Sequence, residues 1–327
     1  LAPPNDPGDQ FNVKVVATDA DGVTGSPQDS TVTLIDVIDI YRSLGASGAL
    51  ATGAANAFSI SGSTATFTNP LPDNIGVGDG IQYETTSGTQ GSVNNIAFIH
   101  GRTSSTVYTL KTVSGAVPTA TTGDTDWTIY RAYTTLTGAE GSTENTDFDN
   151  ALENFDTWTG GKNLVTNNEI WNIAVYGAAG TGRIINGWTT DSSRYMRIFT
   201  PSLTSEVGTS QRHNGKWNAA SGTLTVGGGA SDIVIATGAN KIVIDGLQLS
   251  LTGGTSIAMV NSTNTGLLNL TFSNNIVRDT TGNSGQKGLN VSNGAVGFKA
   301  FIYNNIFYDF NGTSSEALSV TTANATA

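Results

Sequence analysis

His213 follows Arg212 and precedes Lys216 and Trp217. Cations grouped around an aromatic ring can hold an acidic sugar, the charge on the carboxylate and the ring against the sugar face. A plainer reading makes the group a structured turn, with Arg212 paired to a carboxylate such as Glu206, and this reading is preferred. His100 is the only other histidine and there is no cysteine, so the usual ligands of a zinc site are missing.

Asp279 and Asp309 form a second candidate. They are 30 residues apart within a repeated segment, so a stacked fold would set them one strand spacing from each other, about 5 Å. That is near the carboxylate separation of a retaining glycosidase. Each also follows an Asn-Asn pair, where Asp is a common turn former, and the turn reading is preferred. A polysaccharide lyase would pair a calcium-binding Asp cluster with a Lys or Arg base; Arg278 is present, but Tyr308 takes its place in the next copy and no acidic cluster surrounds it.

Asp19, Asp21, Asp124 and Asp126 resemble pieces of oxygen-rich calcium loops. A calcium ion takes six to eight oxygens, and no complete calcium-binding repeat is present, so simple turns are preferred and no cofactor is expected. Asn261, Asn269, Asn290, Asn311 and Asn324 each begin an Asn-X-Ser/Thr sequon. In a chain this rich in Asn, Ser and Thr, chance accounts for most of them. Phe301, Tyr303, Phe307, Tyr308 and Phe310 crowd one repeat. Alternate members are expected to fill a core and the others to face a sugar or a second subunit. Candidate glycan-binding residues are therefore Arg212, His213, Trp217, Tyr303 and Tyr308.

With 15 basic and 26 acidic residues among 327, the net charge is −11. Such a surface repels nucleic acid and anionic lipid. No apolar run is long enough to span a bilayer as a helix, so no membrane insertion is expected. Low charge with abundant Gly, Ser, Thr and Asn suits a turn-rich all-β protein. The absence of cysteine removes any dependence on disulfides. The chain begins at Leu1 without a methionine and reads as a piece of something longer.

Four segments must position these residues. Residues 1–40 hold two alternating runs, around Phe11, Val13 and Val15 and around Val32 and Leu34, separated by an Asp-Gly turn signal. They resemble the last strands of an immunoglobulin-like or cadherin-like repeat, or strands exchanged between subunits. Residues 41–137 show short strands broken by Gly, Pro, Asn and Asp, as in a small barrel or sandwich. Residues 138–167 read as a linker and a capping helix. Its helical part spans 145–158, with Phe148, Ala151, Leu152, Phe155 and Trp158 forming one apolar stripe. Residues 168–327 repeat. Asn274, Asn275, Ile276 and Asp279 recur as Asn304, Asn305, Ile306 and Asp309. Several short strands per period, with no helix between them, predict a parallel β-helix whose coils stack about 4.8 Å apart. The Asn pairs are expected to form ladders along its axis.

Further segments carry a resemblance: Asn74 to Asp79, Ala97 to Tyr108, Trp127 to Tyr133, Asn168 to Ala174, Tyr195 to Pro201 and Ser210 to Trp217. Through them most of residues 40–325 resembles a group of secreted right-handed parallel β-helix repeat proteins of uncultured microbes. The resemblance implies an all-β solenoid and a location outside the cell or on its surface. It implies no reaction and no catalytic residues.

A solenoid with an open end exposes strand edges that recruit further strands. The expectation is therefore a structural surface protein, not an enzyme, whose copies join head to tail into a filament or sheath. Phe11, Val13, Val15, Val32, Leu34, Leu318 and Val320 are its expected contacts. The alternatives are a glycan-binding adhesin and, after it, a polysaccharide lyase or hydrolase of the tailspike kind. Expected partners are other copies of the chain and cell-surface or environmental glycans.

Overall fold

The computed structural model describes residues 10–15, 28–33, 36–85, 93–158, 160–181, 185–226, 233–235, 240–255, 258–262, 267, 269–292 and 297–321. The chain forms two compact units, Leu1–Ile38 and Asp39–Ala327. In the first, Gln10–Val15 pairs antiparallel with Gln28–Thr33, and the register sets Phe11 opposite Val32 and Val13 opposite Ser30. Leu34, Asp19 and Asp21 lie outside the described residues.

The second unit is nearly all β and contains a parallel β-solenoid of about four turns. Three sheets run along it. Sheet I stacks Glu169–Val175, Met196–Phe199, Lys241–Asp245, Asn269–Ser273 and Lys299–Tyr303. Sheet II stacks Ala178–Thr181, Thr223–Val226, Gln248–Leu251, Ile276–Asp279 and Ile306–Tyr308. Sheet III stacks Ile233–Ile235, Ala258–Ser262, Lys287–Ser292 and Glu316–Thr321. Side-chain alternation decides which residues fill the centre. Ile198, Ile244 and Phe272 stack inward on sheet I, Leu224, Leu249 and Val277 on sheet II, and Val260 and Leu289 on sheet III.

The repeated Asn pair has two separate jobs. Asn274 and Asn304 adopt left-handed backbone at the corner between sheets I and II, where the rung below uses Gly246. Asn tolerates that conformation better than other side chains. Asn275, fully buried, is the ladder member. Its Oδ1 accepts from the Leu247 N–H at 2.9 Å, and its Nδ2 donates to Asn305 Oδ1 at 3.0 Å. A second ladder runs along sheet III, where Asn290 donates to Asn261 at 2.8 Å.

The small β-domain is one eight-stranded antiparallel sheet, from Ala51–Thr52 to Thr128–Tyr130, folded around its own core of Phe58, Phe67, Tyr83, Tyr108 and Trp127. The strand before it, Ile38–Leu44, belongs instead to sheet I, at the edge beside Glu169–Val175. The small domain is thus inserted between the first solenoid strand and the rest.

The helix expected over 145–158 does not form. Polar side chains take the backbone donors that a helix would use. Asn145 Oδ1 accepts from Asp147 N at 3.1 Å and Asp149 Oδ1 from Ala151 N at 2.9 Å, while Asn154 turns left-handed. The helices of this region are α1, Leu136–Gly141, and α2, Leu164–Asn167, capped by Thr135 and Asn163. The aromatic members of the stripe pack inward without a helix, Phe148 and Phe155 buried and Trp158 half-buried. Phe148, Phe155 and Trp158 join the solenoid core, and Trp158 meets Trp171 and Trp188 at ring separations of 4.6 and 5.6 Å. Ala151 is exposed.

Candidate functional site at the last rung

Two features meet at the last described rung: partly exposed core side chains and an aromatic corner. Leu318 and Val320 pair in register with Leu289 and Val291, which are completely buried, yet they are themselves 42% and 54% exposed. Ile302, Phe307 and Phe310 also turn toward the core and are half-buried. These are core residues with no rung above them among the described residues. Among the described residues the edge strands Lys299–Tyr303, Ile306–Tyr308 and Glu316–Thr321 each pair on one side.

Outward from the same rung point Phe301, Tyr303, Ile306 and Tyr308, of which the first three are among the exposed large apolar side chains. The parity expected within the aromatic group is thereby resolved: Phe307 and Phe310 face in, and Phe301, Tyr303 and Tyr308 face out.

Below this face lies the loop between Met196–Phe199 and Thr223–Val226, carrying Arg212, His213 and Trp217. Asp245 anchors its first part. The Arg212 guanidinium pairs with Asp245 Oδ2, and Oδ1 accepts from Ser273 Oγ at 2.8 Å and Asn274 Nδ2 at 2.7 Å. Glu206, the partner expected for Arg212, instead accepts the backbone N–H groups of Ser202 and Leu203 at 2.9 and 3.1 Å. The pairing carboxylate comes from a strand 33 residues on. Gly246 is required here, because a Cβ on it would lie 2.3 Å from Arg212 Nε.

His213 is held at both ring nitrogens. Nε2 lies 2.8 Å from the Asn274 carbonyl and donates to it, while Nδ1 accepts from Gly215 N at 3.2 Å. Those two bonds assign the neutral tautomer, and burial lowers the pKa in the same direction, reinforced by Arg212. His213 is therefore a turn-fixing residue, with no nitrogen left to act as a base. At the far end of the loop the Trp217 ring stacks 3.5 Å from the Arg278 guanidinium, and Arg278 is in register with Tyr308 on the next strand. The five candidate glycan-binding residues thus gather at one corner. Tyr303 stands in register above Ser273 and Asp245, and Tyr308 above Arg278.

Comparison of the chain with protein families, with curated proteins and with solved structures gives no match. The functional reading rests on this geometry.

Other candidates fall elsewhere. Asp279 is buried and closes a turn, its Oδ1 accepting from Thr281 N at 2.8 Å, whereas Asp309 is exposed on left-handed backbone. The two do not form a solvent-facing pair. Asp124 receives Asp126 N at 2.8 Å and Glu84 N at 3.0 Å, as a turn residue does. Among the described residues no three His, Cys, Asp or Glu side chains gather as metal ligands, and no helix is long and apolar enough to cross a membrane. Of the sequons, Asn261, Asn269 and Asn290 are half-buried and bonded along the ladders, Asn311 is exposed, and Asn324 lies outside the described residues.

Sequence reasoning missed two buried ion pairs whose arginines stack on aromatic rings across the junction of the small domain and the first rung. Arg42 donates to both Asp156 oxygens at 2.8 Å and stacks 3.7 Å from the Phe98 ring centre. Arg131 grips Asp79 at 2.6 and 2.7 Å and lies 3.7 Å from the Tyr176 ring centre. A cleft of about 610 Å³ opens beside Arg131, lined also by Ala49, Asp73, Tyr176 and Gln211. The charge at its base is already neutralised by Asp79. The only sequence signal for these pairs is an isolated charge within an apolar run, Arg42 after Ile40 and Tyr41 and Arg131 after Ile129 and Tyr130.

Proposed function

We infer that the protein is a structural subunit that associates with copies of itself at a cell exterior. The supporting observation is that Leu318 and Val320, in register with buried Leu289 and Val291, lie exposed among the described residues. Exposed apolar groups beside unpaired strand edges favour strand addition, because both the backbone donors and the apolar area gain partners. The occupant favoured here is the Gln10–Val15 and Gln28–Thr33 hairpin of a second copy. A two-stranded hairpin is marginal alone in water, and its six-residue strands match the six residues of Glu316–Thr321. A contact between different surfaces of successive copies does not close on itself and builds a filament. The acidic, cysteine-free, Ser/Thr/Asn-rich composition fits an exterior location.

Negative-stain electron microscopy with size-exclusion chromatography tests this reading. Regular fibres are expected from the full chain, and monomers from a chain lacking residues 1–38 or carrying Leu318→Lys. A full chain that stays monomeric at every concentration overturns it, as do fibres that persist after removal of the hairpin.

The second reading is glycan binding, favoured by the outward Tyr303 and Tyr308 beside Trp217 and Arg278.

A further inference from the structure

Arg278 is the one arginine among the described residues with no carboxylate within 4.0 Å. Arg42, Arg102, Arg131, Arg194, Arg197 and Arg212 each lie within 4.0 Å of one. In a chain of net charge −11, a cation left without an acid calls for an account. Arg278 is also held rigidly. Its Nε donates to Ser250 Oγ at 3.2 Å, and one face of its guanidinium lies 3.5 Å from the Trp217 ring centre. The two terminal nitrogens make no further hydrogen bond among the described residues. Half-buried, the group has already lost part of its hydration and its rotamer freedom, so little more is lost when it binds. A fixed guanidinium with both terminal nitrogens free matches a carboxylate through two parallel bonds.

The surroundings narrow the ligand. Tyr308 is in register with Arg278 on the adjacent strand, about 5 Å away along the axis, which is close to the width of one sugar ring. Tyr308 is half-exposed, and Ile306 on the same strand faces solvent. A flat aromatic and an apolar edge beside one cation suit a ring with C–H faces and a single acid. The net negative charge disfavours ligands dense in phosphate. We propose that Arg278, braced by Trp217 and Ser250, binds the carboxylate of an acidic saccharide whose ring lies against Tyr308. This second reading of the corner is independent of how the open rung is covered.

The test is titration of the full chain, at low salt, with a galacturonate trisaccharide, its methyl ester and the neutral galactose trisaccharide, by calorimetry and saturation-transfer NMR. Binding is expected for the acid, with affinities lower by about tenfold for the ester and the neutral sugar. Arg278→Gln should lose about tenfold for the acid and nothing for the ester. Because Arg278→Gln also removes the stack on Trp217, Tyr308→Ala supplies the second variant. It leaves the Arg278–Trp217 contact intact and should weaken acid and ester alike, by roughly threefold to tenfold. Arg102→Gln should change neither. Equal affinity for acid and ester, an unchanged Arg278→Gln, or no binding by the wild type overturns the proposal. So does a chain that binds no saccharide but stops self-associating when Arg278 is replaced, since the cation would then serve an acid of the neighbouring copy.

Discussion

Leu318 stands in parallel register directly above Leu289, yet Leu289 is fully buried and Leu318 is 42% exposed. The same side chain, on the same face of the same sheet, has a covering rung in one case and, among the described residues, none in the other. Its contribution to stability should follow the cover. Leu289→Ala leaves a cavity in a closed core and is expected to cost about 2–5 kcal/mol. Leu318→Ala in the monomer should cost clearly less, about 1–1.5 kcal/mol, since the side chain is only partly buried. In assembled material the Leu318 cost should rise toward the Leu289 value. Chemical denaturation of monomeric and assembled samples gives both numbers. Equal costs for the two substitutions in the monomer would mean that the last rung is already covered.

The corner ladder makes a different demand. Asn275 accepts from the buried Leu247 N–H, and its own amide donates to Asn305 and to the Ile244 carbonyl at 3.2 Å. Asn275→Ala strands a buried donor and a buried acceptor, at a cost of roughly 2–4 kcal/mol. Asn275→Asp keeps the acceptor but sets a carboxylate against the Asn305 oxygen and the Ile244 carbonyl, so it should be no milder. Asn304 is exposed and bonds Asn274 at a longer 3.3 Å, and Asn304→Gly should shift stability by only a few tenths of a kcal/mol, because glycine also accepts left-handed backbone. Melting temperatures of the three variants, ranked, check this. A large loss at Asn304 would show that its side chain, not its backbone, sets the corner.

The solenoid was legible because its physics is local and repeated. A 30-residue offset that returns Asn274, Asn275 and Ile276 as Asn304, Asn305 and Ile306 states the rung length and the corner together. The stripe at 145–158 misled because its apolar spacing fits a helix, while the Asn and Asp residues among it satisfy their own backbone first. Arg212, His213, Trp217, Tyr303 and Tyr308, singled out by residue type, lie around one corner. Their partners did not follow from sequence, because Asp245, Asn274 and Arg278 reach them through stacking of strands 33 to 61 residues apart along the chain. The place of Ile38–Leu44 in sheet I was hidden for the same reason, since a whole domain is inserted before its neighbour Glu169–Val175.

The Arg42–Asp156 pair should behave as a closed unit. Asp156 accepts from Arg42 twice and from the Tyr133 hydroxyl at 2.5 Å, and both charged side chains are almost wholly buried. Removing one member leaves the other charged and unpaired in an aromatic site with Phe98 and Trp171. Asp156→Ala is expected to cost about 3–5 kcal/mol. Replacing both, as Arg42→Met with Asp156→Leu, should recover much of that loss, because apolar side chains of similar volume need no partner. A double-mutant cycle in urea measures the recovery, and a double variant as unstable as the sum of the singles would refute the argument.

Two titratable groups held partly out of water should give the stability a pH signature with opposing slopes. Glu140 accepts from Asn186 N and Trp188 Nε1, both at 2.6 Å, without a cation partner among the described residues, and burial pushes its pKa from 4.5 up to about 7. Between those values the folded state keeps a proton that the unfolded chain has released. The Glu140 contribution is therefore complete below about 4.5 and is lost as the pH rises through 7. His100 lies edge-on to Tyr41, with ring centres 5.2 Å apart, and burial carries its pKa from 6.5 down to about 3. Here the unfolded chain holds the extra proton, so the contribution is present above about 6.5 and is lost as the pH falls toward 3. At about 1.4 kcal/mol per pH unit for each, the slopes cancel between 4.5 and 6.5. His100→Phe keeps the aromatic contact and removes the titration. Relative to the wild type, its stability should fall with rising pH across that window by up to roughly 3 kcal/mol. Glu140→Gln should slope the other way, rising with pH by a similar amount, on top of a constant loss because the amide can accept only one of the two bonds. Urea midpoints at half-unit pH steps separate the two, and parallel curves for wild type and His100→Phe would show that His100 does not titrate between its folded and unfolded values.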